Sequence, residues 1–365
     1  LPLTGLRAVA AWWVVAFHFA RGLVPSPLAR LIGSGHVAVD LFFVLSGFVL
    51  AHRCNLSELS TPAGRRAFYW RRFARLYPLY LVSLATGFYA ECPRAWDDLA
   101  TSGGRVRIVA QLALLNAVSH KWMFRHNWAA WSLSVEAFMY LLFPWTVAWL
   151  SRRSRRFLLG LLVGCALAAV LAPLIYTAVD PDHLGRPLAQ GDEILWSWYL
   201  KFFPLQRLPI FIAGVAAGRL AREVAVPGLL AVLAAVVVFA VAMTGMVPYA
   251  FLQGGALTLV FVGMVSALSG PGGGGVMGRW LASAPCVLLG RASYATYILH
   301  VPLFLLFARF EPAMWESGWL VAGYALLLLV LSLVAHRATA ELAYPTARHS
   351  KSGSSIRPSS FVPGS

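Results

Sequence analysis

Arg7 and His18 are the first residues in this chain whose types and spacing could do chemistry. Eleven residues separate them, which at ~100° per residue is within about 20° of three whole helical turns. Both therefore point from one face of a helix, roughly 16 Å apart along its axis. A neutral imidazole is a general base for a hydroxyl, and a guanidinium grips phosphate. The stretch around them is apolar, and an ionisable group in such a stretch usually faces a cavity. An arginine reaching to headgroups and a histidine hydrogen-bonded inside a bundle would leave the same trace.

Other polar residues sharpen the pattern. Of the fourteen Asp and Glu residues, Asp40 and Glu136 fall within apolar runs, as does His300. Counted along their runs, His18, Asp40, Glu136 and His300 share one depth, where a carboxylate would fix the histidine tautomer. Which carboxylate does so stays open, and a polar network that only holds helices together is the plainer alternative. Ser132, Tyr297 and His300 are candidates for stabilising an oxyanion, with Trp131 beside them in the acceptor region. Arg71, Arg72 and Arg75 open another apolar run. Residues 72 and 75 share a helix face, where two guanidiniums fit a phosphate and where simple membrane anchoring would also place them. The four cysteines and nine histidines show no metal-ligand spacing, so no metal site is expected.

The elements that must hold these residues are membrane helices. Hydrophobic residues make up 59% of the 365-residue chain and charged residues 12%, with a mean hydropathy of +0.70. A soluble domain is nearer half apolar and a quarter charged. The net charge of +16 comes mainly from arginines in short connections, as orientation in a membrane requires, so no nucleic-acid partner is expected. Placing the basic 52–75 and 151–156 connections on one side leaves ten spans, with both termini cytoplasmic. The run at 106–118 is then a short, non-crossing helix, and Pro204 and Pro209 kink the seventh span. The expected organisation is a single all-α transmembrane domain over 1–345 and a disordered cytoplasmic tail over 346–365.

Five segments, in order along the chain, together resemble the acyltransferase-3 family of integral-membrane O-acyltransferases. Arg7 and His18 match its R-x10-H signature, and 39–48 (VDLFFVLSGF) its second segment. Arg72, Arg75 and Pro78 are similar to R-x-x-R-x-x-P, and 131–136 (WSLSVE) to W-S-L-x-x-E. The stretch 293–300 (SYATYILH) resembles the late S-Y-x-x-Y-x-x-H element. The resemblance implies a ten-span bundle that moves an acyl group, commonly acetyl, from a coenzyme A thioester to a hydroxyl. Its acceptors are sugars, glycolipids or small molecules such as macrolides. It places this chain with members lacking an appended hydrolase-like domain, in the bacterial cytoplasmic membrane.

On that resemblance, Arg72, Arg75, Arg71 and Arg7 would hold the phosphates of acyl-CoA (acetyl-CoA above all) as a co-substrate, with no permanently bound cofactor. His18 would act as the base, with Asp40 or Glu136 supporting it. A transporter for a small solute or lipid-linked sugar is the rival reading. It would also bury Arg, His and carboxylates, but gives no specific reason for the R-x10-H and R-x-x-R-x-x-P elements.

Overall fold

The computed structural model describes residues 1–123, 125–192, 194–270, 273–311 and 317–343, and its regular elements are all helices. Helix α1 spans Pro2–Phe19, α2 Ala38–His52, α3 Pro62–Ala90, α4 Ser102–Leu112, α5 Trp131–Ser151 and α6 Arg155–Val179. Helix α7 spans Leu195–Phe202, α8 Pro204–Leu220, α9 Leu229–Thr244, α10 Thr258–Ser269, α11 Ala284–Phe310 and α12 Gly318–Ala343. Local chemistry marks several starts. The side chains of Thr61, Thr101 and Ser154 accept from the first-turn N–H groups of Gly64, Gly104 and Phe157. Proline opens α1, α3 and α8, where its missing N–H costs nothing.

Among the described residues, six segments are long and apolar enough to cross a membrane: Leu28–His52, Trp128–Ser151, Arg155–Val179, Leu195–Leu220, Ala284–Phe310 and Gly318–Thr339. The chain is a multi-pass membrane protein, but this count falls short of the expected ten. The reason is physical. Helix α1 carries Arg7 and His18 in 18 residues, and the first half of α3 is rich in arginine. Helices α9 and α10 have 16 and 12 residues, below the roughly 17–25 a span needs. The expected non-crossing helix is α4, whose 11 residues reach only ~16 Å. Tyr77 and Tyr80 cap its end, donating to the carbonyls of Leu112 and Gln111 at 2.8 and 2.6 Å. The expected kink at Pro204 is a full break at Phe203 between α7 and α8, while Pro209 lies inside α8. The tail at 346–365 lies outside the described residues.

Two parallel helix pairs set the frame. In the first, α2 lies on α8 at a distance only glycine permits. A Cβ on Gly47 would sit 2.4 Å from the Phe211 carbonyl oxygen, and one on Gly214 would sit 2.3 Å from that of Val44. Among helices, where apolar side chains gain little by leaving lipid, such close backbone packing is the main source of association. Arg222 ties off one end of this seam, donating to the carbonyls of Ala51, His52 and Cys54. In the second pair α1 runs beside α11, with Gly290 against the Thr4 carbonyl. That register places the Arg7–His18 face of α1 opposite Tyr294, Tyr297 and His300, which are spaced three apart on α11.

Proline also shapes α11. Pro302 cannot donate to the carbonyl of Ile298, four residues earlier. Asn127 takes its place, its Nδ2 donating to Ile298 O at 2.8 Å and to Ser83 Oγ at 3.1 Å. The loop ahead of α5 is thereby fastened to the helix bearing His300. Arg107 and Arg125 pin the same loop region through Asp98, at 2.9 and 3.2 Å.

If the α2–α8 seam holds the bundle together, Gly214→Ala should destabilise the purified protein by about 1–3 kcal/mol through overpacking. A lowered unfolding midpoint in detergent would show this. Gly164→Ala, at a helical position where a Cβ meets nothing within 4 Å, should leave the midpoint unchanged or raise it.

Candidate active site

Three cavities follow one another along the α1–α11 interface. The first, of about 690 Å³, is a mouth lined by Arg7, Arg53, Arg71, Arg72, Arg75 and Arg291. Among the described residues, no carboxylate lines it. The second is narrow, about 110 Å³, and shares Arg7, Arg72, Arg75 and Tyr294 with the mouth. The third, about 200 Å³, shares Val39 and Tyr297 with the second and contains His18. A long, thin ligand with an anionic head would fit this series, head in the mouth and tail toward His18.

The mouth gathers the arginines singled out in the sequence. Arg71, Arg72 and Arg75 project from α3 and Arg7 from α1. Arg71 also pairs with Glu58 at 2.6 Å on the exposed rim, an ion pair of small energetic weight. Arg72 lies over the rings of Phe68 and Tyr140, 5.6 and 5.9 Å from their centroids. Arg53 from the end of α2, read in the sequence only as part of the basic 52–75 connection, and Arg291 from α11 also line the mouth.

Glu136 faces the narrow cavity. Ser46 donates to its carboxylate at 3.1 Å, and Tyr140 makes a second, short hydrogen bond to it. This corrects the expectation that four polar groups share one depth. Trp131, which opens α5, lines the His18 cavity, and Glu136 lies five residues (~7.5 Å) further along the helix. A carboxylate there lies among Arg7, Arg72 and Arg75 instead of beside the histidine.

Asp40 does share the far cavity with His18, but its partner is Arg207 at 3.0 Å. Both are buried, 4% and 2% exposed, so each must neutralise the other. Arg207 spends its remaining donors on the carbonyls of Lys201 and Gln253, and it lies 5.7 Å over the ring of Trp131. The sequence reading missed Arg207 and Lys201, though the rule applied to buried carboxylates covers both, since each sits in the apolar run 196–218. Lys201 in turn donates to the carbonyls of Gln190 and Asp192 and so ties the 180–192 loop over the cavity. Within the loop, the Arg186 side chain and the Ala189 N–H hold the Asp192 carboxyl down to about 2, so their contribution is complete above the ordinary carboxylate range and is lost as pH falls toward that value.

His18 is oriented by its own helix. Its Nδ1 lies 2.9 Å from the carbonyl oxygen of Val14, one turn earlier. A carbonyl only accepts, so Nδ1 carries the proton and Nε2 is left as the basic atom. Neither Asp40 nor Glu136 performs the tautomer-fixing role expected of them, because a backbone acceptor was nearer. His300 packs beside His18, with ring centroids 5.0 Å apart. Its Nδ1 makes a short hydrogen bond to the Tyr297 carbonyl. Its Nε2 is therefore an acceptor too, which removes His300 as an oxyanion donor. Ser132 and Tyr297 come together as expected: Ser132 Oγ donates to the Tyr297 hydroxyl at 2.8 Å, and that hydroxyl lies 3.3 Å from Ala129 O. Arranged this way, the two hydroxyl protons are already used. No group of three or more His, Cys, Asp or Glu suited to a metal occurs among the described residues.

The Asp40–Arg207 pair should be a structural keystone of this cavity. Arg207→Met strands a buried carboxylate and should cost about 3–5 kcal/mol. Adding Asp40→Asn should recover much of that loss, read as the unfolding midpoint of the single and double variants.

Comparison with known proteins is consistent across the chain. The pattern of the acyltransferase domain family, acyltransferase-3, matches residues 3–337. The acyltransferase MdmB of Streptomyces mycarofaciens is 29% identical over 313 residues, which is 82% of this chain and 77% of MdmB. The peptidoglycan O-acetyltransferase OatA of Listeria monocytogenes is 24% identical over 361 residues, 88% of this chain and 52% of OatA. Protein 2 in the picA locus of Rhizobium radiobacter is 43% identical over 83 residues, 23% of this chain and 41% of that protein. The chain thus spans about half of OatA and less of the Rhizobium protein. No solved structure matches.

Proposed function

This chain belongs to the acyltransferase-3 family of membrane acyltransferases, and we propose that it carries an acyl group, acetyl above all, from acyl-CoA to a hydroxyl of a sugar, glycolipid or other small acceptor. The observation that carries this reading is the series of cavities from a mouth with six arginines to a histidine whose Nε2 is left unprotonated. The phosphates of the donor dock at the mouth on Arg72, Arg75, Arg71 and Arg7 by charge-assisted hydrogen bonds. The pantetheine arm runs through the narrow cavity, past Glu136 and Tyr297, and brings the thioester toward His18.

The acceptor hydroxyl enters the far cavity. His18 Nε2 takes its proton as the oxygen attacks the thioester carbonyl. The new C–O bond forms as the C–S bond breaks, and the departing thiolate recovers the proton from His18. Arg207 is committed to Asp40 and to two carbonyls, so the pair acts as a fixed wall beside the reaction. Trp131, Tyr249 and Phe202 supply aromatic surface in that cavity, as a sugar ring or a macrolide would need. The name of MdmB, an acyltransferase, accords with acyl transfer, and that of OatA, a peptidoglycan O-acetyltransferase, with transfer to an oxygen. The basic mouth shares its side with the 52–75 connection, so donor enters from the cytoplasm and acceptor from the opposite face of a bacterial cytoplasmic membrane.

Sealed vesicles of known orientation test this arrangement. Labelled acetyl transfer should require acetyl-CoA on the face bearing the 52–75 connection; equal transfer from the other face would refute it. Arg72→Ala and Arg75→Ala should each raise KM for acetyl-CoA by about 10- to 100-fold, the loss of a hydrogen bond to a charged group. A transporter would show solute movement with no thioester cleavage.

A further inference from the structure

The base in this site lacks the partner that enzyme histidines usually have. A histidine that takes a proton inside a water-poor cavity becomes an imidazolium, which needs an acceptor to stabilise it. Asp40 is matched to Arg207, and Glu136 faces another cavity. The backbone carbonyl of Val14 holds the far side of the ring but carries no charge. What does stand beside His18 is His300.

Three observations define what His300 can do there. It is fully buried, with no exposed surface. Its Nδ1–H is locked onto the Tyr297 carbonyl, and the backbone of His300 is held in turn by the Tyr324 hydroxyl. Its Nε2 is buried without a hydrogen-bond partner. An orphaned buried polar atom is costly to leave unpaired, and here it belongs to a ring packed against the catalytic candidate. Both imidazoles commit their Nδ1 protons to their own helices, which leaves an unprotonated Nε2 on each of two rings whose centroids are 5.0 Å apart.

We propose that His300 is the positioning residue for protonated His18: the lone pair of its unpartnered Nε2, in a ring packed against that of His18, stabilises the imidazolium formed when His18 takes the acceptor's proton. The proposal rests on His18 as the base. His300 gains no net proton. The proton moves from the acceptor oxygen to His18 Nε2, is stabilised by His300, and leaves on the thiolate sulfur once the C–S bond has broken. The other charged or titratable groups facing His18 are His36, Asp40 from α2, Lys201 and Arg207 from α7 and α8, Tyr249, and Tyr297 from α11. Of these, Asp40 and Arg207 cancel each other, and the Lys201 ammonium is directed at loop carbonyls.

The test uses the full chain in nanodiscs with acetyl-CoA, comparing wild type, His300→Leu, His300→Gln and His18→Ala. Two readouts are taken across pH: thioester turnover, and carbethoxylation of His18 by diethyl pyrocarbonate, which reacts with the unprotonated ring. His36, in the same cavity, is the internal reference for the second. His300→Leu removes the acceptor and should cut turnover by about 10- to 100-fold. The acid limb of turnover and the His18 modification midpoint should both move to lower pH, by about one unit, while His36 stays in place. His300→Gln keeps an acceptor oxygen and should restore most of both. Unmoved His18 midpoints, or a glutamine variant as impaired as leucine, would overturn the proposal. Turnover surviving in His18→Ala would instead refute the base reading, and the modification midpoints would still report the pairing.

Discussion

A guanidinium cannot lie inside an apolar bundle without acceptors on every side, and Arg207 is where that constraint is met. Asp40 supplies the opposite charge, and the carbonyls of Lys201 and Gln253 take the remaining donors. This pair forms at one end of the glycine seam between α2 and α8, and the seam keeps its parallel register through Gly47, Gly214 and Arg222. With Asp40 so committed, it is unavailable to His18. The histidine is then left to its own helix and to His300. The chemistry at the far end of the cavities thus follows from where one buried charge found its partner.

The same logic divides the molecule by charge. The mouth has arginines and, among the described residues, no lining carboxylate, so it attracts an anion. The narrow cavity has one carboxylate, Glu136, hydrogen-bonded by Ser46 and Tyr140. The far cavity keeps its charges paired and adds aromatic rings. An anionic head, a thin neutral arm and a ring-bearing acceptor each meet suitable surroundings in turn.

Much of the site was legible in the sequence because helical periodicity is rigid. The face shared by Arg7 and His18, and the spacing of Tyr297 and His300, depend only on 3.6 residues per turn. Depth was less legible. Counting inward from assumed helix ends put Glu136 level with His18, but α5 begins at the His18 cavity and carries Glu136 past it. Pairings between distant segments were illegible altogether. Nothing near Asp40 announces Arg207, 167 residues away. The choice of Val14 to orient His18 reflects a local carbonyl that every helix offers. Helix existence was read well, while six of the ten expected spans meet the length and hydropathy a crossing needs among the described residues. Charged α1 and α3 and short α9 and α10 meet the bilayer in ways that hydropathy alone does not rank.

The central claim is that His18 is the base of an acyl transfer. The most direct test is labelled acetyl transfer from acetyl-CoA by purified wild type and His18→Ala in nanodiscs, with thioester cleavage and incorporation into an envelope extract followed together. The account predicts that His18→Ala remains folded, still binds acetyl-CoA through the arginine mouth, and loses about 10²- to 10⁴-fold in turnover, the contribution of a positioned general base. A folded His18→Ala that transfers acetyl at the wild-type rate would contradict it.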